Sequence, residues 1–189
     1  MKTAQLQNVT YNYIFDLKDR LSETTYFKMK NKYDYSFTGE EKAQFQSQVL
    51  LSLELSLCNV DTLIVPETSN KCLLEIAYKT GKEVVVLHKN SKDTIIIAIS
   101  QQTMMKAEKT KLLSSLESMD TIKIANIAGN QRKRFVECLF KPLDNAELLK
   151  GKNVALLDDS VFSGYTFLAA NHILSGLNQQ NLILFSKVD

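Results

Sequence analysis

Val154-Ala155-Leu156-Leu157-Asp158-Asp159-Ser160-Val161-Phe162-Ser163-Gly164-Tyr165-Thr166 decides how this chain is read. Four apolar residues in a row, led in by Gly151-Lys152-Asn153, predict a strand buried on both faces. Asp158 and Asp159 stand at its expected C-terminal end. A loop of small hydroxyl residues then opens a helix over residues 166–174, closed by Gly176. Leu182-Ile183-Leu184-Phe185 supplies the next strand. The product is a β-loop-α-β unit, whose connection implies parallel strands. In open α/β sheets, ligands bind at the carboxyl ends of the strands, where this motif puts its acids. Adjacent carboxylates repel one another and lose hydration when buried, so hydroxyls, a metal or cations are needed to satisfy them. Gly164 removes a side chain where an anion would approach a helix N-terminus, and Ser163 and Thr166 add hydroxyl donors. A polyol held by the acids and a phosphate held by the loop describe a sugar phosphate.

Working outward, residues 61–88 repeat the pattern. Thr62-Leu63-Ile64-Val65-Pro66 reads as a buried strand, Glu67-Thr68-Ser69-Asn70 as a loop, and residues 71–79 as a helix closed by Thr80-Gly81. Val84-Val85-Val86 reads as a second strand. A further apolar run covers 94–99, and a helix is expected over 104–116; residues 93–120 read as an insertion. Residues 122–127 and 135–140 predict two strands around a basic hairpin loop that contains Gly129, Arg132, Lys133 and Arg134. In the first sixty residues, Tyr11, Ile14, Phe15, Leu17 and Leu21, then Phe45, Val49, Leu53 and Leu57, recur at helical spacing. The expectation is therefore an α/β fold, a central mostly parallel sheet flanked by helices, with a helical N-terminal hood over 1–60 and a core over 61–189, together one compact domain.

Composition narrows the class. The 189 residues carry a net charge of +2, too small to argue for nucleic acid or a membrane surface as partner. Only 6 Gly and 2 Pro are present, against about 13 and about 9 at average usage, which excludes Gly- and Pro-rich disordered classes. Cys58, Cys72 and Cys138 show no C-x-x-C spacing, and His88 and His172 stand apart, so reduced thiols in a cytoplasmic protein are expected rather than a zinc site. The N-terminus has no signal-peptide pattern, and no apolar run is long enough to span a bilayer.

The stretch 154–166 resembles the phosphoribosyl-pyrophosphate (PRPP) motif of type I phosphoribosyltransferases: four apolar residues, two acids, three variable residues, Ser or Thr, Gly, any residue, Ser or Thr. Beyond these thirteen positions the likeness is one of layout, over roughly 60–189. It implies that Asp158 and Asp159 hold the ribose hydroxyls, directly or through Mg²⁺, with Ser160 and Phe162 beside them. Ser163, Gly164, Tyr165 and Thr166 would cradle the 5-phosphate. The loop with Thr68, Ser69, Asn70 and Lys71 would meet pyrophosphate, as would Lys89 after the second strand. Arg132, in the basic hairpin, would belong to a lid, and Lys187 would touch the acceptor base. The implied function is transfer of phosphoribosyl from PRPP to a nucleobase with release of pyrophosphate, in a homodimer.

The chain departs from the family at two places. Phe162 stands where some purine-type relatives carry an acid, and the loop at 67–71 has no glycine where the family has a small-Gly-Gly stretch. These departures keep open a second reading, a non-catalytic sensor or regulator that binds PRPP or a nucleotide. A phosphoacceptor receiver domain, suggested by Leu156-Leu157-Asp158-Asp159, lacks the chain length it would need after Asp159.

Overall fold

The computed structural model describes residues 1–187 apart from Ser69, Asn70, Asn145 and Ser163. In chain order the elements are β1 (Lys2–Leu6), β2 (Val9–Asp16), α1 (Arg20–Lys30), α2 (Gly39–Leu57), β3 (Thr62–Pro66), α3 (Lys71–Lys79) and β4 (Glu83–Leu87). They continue with α4 (Lys92–Gln101), α5 (Lys106–Glu117), β5 (Asn153–Val161), α6 (Tyr165–Ile173) and β6 (Asn178–Ser186). Six strands make one sheet in the order β1-β2-β6-β5-β3-β4. β2 with β6, β6 with β5, and β5 with β3 are parallel, and only the β1–β2 hairpin is shown antiparallel. The fold is thus α/β, with a mostly parallel sheet flanked by helices. Among the described residues no helix is long and apolar enough to cross a membrane.

The chain divides into two compact units: residues 1–86, 145–163 and 176–189, and residues 87–144 and 164–175. In the first, α1, α2 and α3 cover an apolar core that includes Val49, Leu53, Leu63, Leu73, Ala155 and Leu184. Phe15, Phe45 and Phe185 stack there, with Phe15 and Phe185 4.9 Å apart between ring centroids. In the second, α4 packs on α5, and both α4 and α6 pack on a run of 3₁₀ turns.

The β-loop-α-β reading of 61–88 and of 154–185 holds; the helical run after Gly39 is α2, and the helix expected over 104–116 is α5, Lys106–Glu117. Helix α2 opens with a full capping box: Thr38 accepts from the Glu41 amide, and the Glu41 carboxylate accepts from the Thr38 amide.

Four expectations need correction. Residues 1–16 are not helical. Val-Thr-Tyr-Asn-Tyr-Ile-Phe is rich in β-branched and aromatic residues, and its apolar positions satisfy period two as well as period four. Gln7 and Asn8, with φ of 47° and 69°, close it onto β1 in a two-residue turn of the primed kind. Of the expected helical hood, only Arg20–Lys30 and Gly39–Leu57 are helix. Secondly, residues 122–127 and 135–140 form no hairpin. Ile124–Asn126 and Gly129–Phe135 are 3₁₀ turns, and the bridge formed there joins Phe140 to Lys89. The cause is local: Arg132 Nε donates to the Ile127 carbonyl at 2.8 Å and its Nη2 to Ala125 at 3.1 Å, while Phe135 is fully buried. Thirdly, the central strand does not stop at the acids. β6 keeps pairing with it as far as Val161↔Ser186. Finally, Lys187, which the sequence reading puts on the last strand, lies just past it, because β6 ends at Ser186; its amide donates to the Val161 carbonyl at 3.0 Å. The run 94–99 belongs to α4, where Ile95 and Ile99 share a buried face and Ser91 caps the N-terminus.

Candidate functional site

The site in the first unit follows from the strand order. From β3 the chain moves outward to β4 on one side; β5 returns to the other side of β3 and is followed by β6. The β3–β5 boundary is therefore a topological switch point, where open α/β sheets form a crevice. The β3–β5 register runs from Thr62↔Val154 to Ile64↔Leu156. Asp158 and Asp159 lie past that last pair, next to the loop that leaves β3.

Both aspartates are 5% exposed, so each carboxylate needs partners. Asp158 Oδ1 accepts the Asp159 amide at 2.7 Å. Asp159 Oδ1 accepts the Ser160 hydroxyl at 2.7 Å. Its Oδ2 accepts the Lys30 ammonium and, at 3.5 Å, the Thr68 hydroxyl. Lys30 arrives from the last turn of α1, where a cation also suits the helix dipole. Burial pulls the Lys30 ammonium down, and the charge and hydrogen bond of Asp159 more than offset it, leaving its pKa above the usual lysine value.

An aromatic ledge adjoins the pair. Tyr26 is buried and its ring lies 5.2 Å from that of Phe162, which is 47% exposed. Lys30 and Lys32 stand over the Tyr26 ring at 6.0 and 5.6 Å. Burial pushes the Tyr26 phenol up, against the Lys30 charge and a Ser160 hydrogen bond that pull it down.

Of the residues singled out in the sequence, Asp158, Asp159, Ser160, Thr68 and Phe162 gather in this unit, with Lys71 exposed at the start of α3. Ser69, Asn70 and Ser163 lie outside the described residues. Gly164, Tyr165, Thr166, Lys89 and Arg132 belong to the second unit. There Gly164 takes a left-handed φ of 72° at the N-cap of α6, and no side chain among the described residues caps that helix. A side chain at 164 would be strained in that conformation. Arg132 spends its guanidinium on the carbonyls of its own segment. Burial pushes the Cys138 thiol up to about 11 and raises that of Cys72 too, which makes both poor nucleophiles.

Sequence reasoning missed Lys30. Residue 30 sits 129 positions from Asp159, and no local pattern couples them.

The oxygen-rich surroundings of Asp158 and Asp159 are the donor chemistry of a hard cation such as Mg²⁺. Asp159 also holds the Lys30 ammonium, so a cation bound on its Oδ2 would have to displace that lysine. Compared with family models and with curated proteins, the chain matches none.

Proposed function

We propose that this chain binds PRPP and transfers its phosphoribosyl group to a nucleobase or related acceptor, releasing pyrophosphate. One observation carries the reading: two adjacent buried carboxylates at the switch point of a parallel sheet, with an ammonium and two hydroxyls on Asp159. Vicinal ribose hydroxyls are donors of the kind such carboxylates accept. In the second unit, Gly164 opens the N-terminus of α6, which no side chain among the described residues caps, a setting that favours phosphate. In the transfer, the bond from ribose C1 to the pyrophosphate oxygen breaks and one from C1 to the acceptor nitrogen forms. Asp158 and Asp159 would fix the ribose for that displacement. Cations would take up charge on the leaving group. Mg²⁺ would arrive with the ligand's phosphates, and a second copy of the chain is the expected partner.

The test is thermal unfolding with PRPP and with ribose 5-phosphate. Both should raise the melting temperature by mass action, and the Asp158→Asn/Asp159→Asn double variant should abolish the rise. No shift at millimolar ligand overturns the reading. Pyrophosphate release over orotate, uracil, adenine, guanine, hypoxanthine and xanthine then identifies the acceptor.

A second reading, binding without transfer, is favoured by the engagement of Arg132 with its own carbonyls and of Asp159 with Lys30. Stabilisation by PRPP with no pyrophosphate released from any base would select it.

A further inference from the structure

Three helices of the first unit end or begin around a polar cavity of about 480 Å³. Lys28 and Lys30 reach it from the last turn of α1, Lys42 from the first turns of α2, and Lys71 from the first residue of α3. Among the described residues, Glu75 is its one acidic lining residue. The helix dipole explains Lys28 and Lys30, because cations suit a helix C-terminus. It does not explain Lys42 or Lys71, which sit near helix N-termini, where a cation is disfavoured. Lys42 is compensated by Glu75, at 2.7 Å. Lys71 is exposed and has no ion-pair partner among the described residues.

From this we infer that the cavity is a binding site for a polyphosphate anion, two or more linked phosphoryl groups, held by Lys28, Lys30, Lys42 and Lys71. Three of the ammonium groups are already positioned. Glu41 holds Lys28 at 2.5 Å, Glu75 holds Lys42, and Asp159 holds Lys30. An ammonium has three donors, so each retains donors for an incoming oxygen. Side-chain entropy that an anion would otherwise have to remove is largely lost in advance. Lys71 supplies the charge that no carboxylate of the described chain balances. Cations spread over three helices suit an extended anion better than a single phosphate, which could engage only some of them. The inference does not depend on the ribose reading of Asp158 and Asp159, although Lys30 joins the two places. It keeps Lys71, which the resemblance already set against pyrophosphate, and adds Lys28, Lys30 and Lys42 from α1 and α2 in place of the cations of the 129–135 segment.

The experiment is calorimetric titration of the full chain with inorganic pyrophosphate, with PRPP and, separately, with ribose 5-phosphate. Pyrophosphate should bind alone, more weakly as salt rises. Lys71→Gln, at an exposed position, should weaken it about tenfold, the loss of one charge-assisted contact. Lys28→Gln/Lys71→Gln should weaken it further, Lys71→Arg should retain it, and ribose 5-phosphate should bind all variants alike. Circular dichroism checks that each variant is folded. If pyrophosphate does not bind at millimolar concentration while ribose 5-phosphate does, the cavity inference falls and the ribose reading stands. The inference also falls if pyrophosphate binds Lys28→Gln/Lys71→Gln as tightly as it binds the unaltered chain. If pyrophosphate binds and ribose 5-phosphate does not, the inference stands and the ribose reading fails. PRPP binding lost in Lys71→Gln assigns the cavity to a ribose-borne diphosphate; PRPP binding unchanged assigns it to a free polyphosphate.

Discussion

Two basic regions of this molecule look opposite in sequence and in space. Arg132, Lys133 and Arg134 are consecutive and catch the eye at once, whereas Lys28, Lys30, Lys42 and Lys71 are scattered over more than forty residues. The structure reverses their standing. Arg132 is folded back on the carbonyls of Ile127 and Ala125, and Arg134 Nη1 donates to the Thr103 carbonyl. The four lysines line one cavity. Density of charge along a chain therefore says little about what a cation does. What matters is whether its donors are consumed locally or left facing open space.

The comparison breaks most severely if Phe135 is not what fixes the basic segment. Phe135→Ala should cost about 4 kcal/mol in urea unfolding, the usual loss for a fully buried phenylalanine, since the ring is 0% exposed. Pyrophosphate binding measured well below the denaturation midpoint should persist. Next in size is the Lys30–Asp159 pair. Lys30→Met should cost about 3 kcal/mol, because it strands a buried carboxylate. Pairing it with Asp159→Leu should recover most of that loss, and a double-mutant cycle measures the difference. Arg132→Gln should cost only about 1 kcal/mol, the worth of its carbonyl hydrogen bonds, and should leave pyrophosphate affinity unchanged. A fall in affinity would restore the 129–135 segment as the anion site. The smallest effect is acid sensitivity around the cavity. The Lys42 hydrogen bond holds the Glu75 carboxyl below its ordinary pKa, and the Lys28 hydrogen bond does the same for Glu41. A depressed carboxyl contributes stability that is present above the ordinary carboxylate pKa and lost as pH falls through the depressed one. A Glu75→Gln/Glu41→Gln chain should accordingly show a shallower loss of melting temperature below pH about 4.5.

Much of the fold was legible because its signals are local. Uninterrupted runs such as Val154–Leu157 and Thr62–Pro66 fix buried strands, and Ser160–Thr166 spells out a strand-loop-helix turn. Where the reading failed, the deciding information was elsewhere. Tyr11-Asn12-Tyr13-Ile14-Phe15 fits either period, and it is settled by a Gln-Asn turn without glycine and by β6 at the far end of the chain. The helical lysines fit the solvated face of any amphipathic helix, and only the meeting of α1, α2 and α3 gives them a common target. The carboxylate pair was legible as chemistry; its ammonium partner was not, since the pairing depends on tertiary contact alone.

The β2–β6 pairing has a temporal consequence. Tyr11 and Ser186, joined by a 2.9 Å hydroxyl contact, are 175 residues apart. β2, inserted between β1 and β6, can complete its backbone pairing only after β6 has left the ribosome. Until then the first hairpin made is an unfinished edge, open to wrong strand partners. Pairing across such a separation raises contact order, so folding should be slow and should end, rather than begin, with β1 and β2.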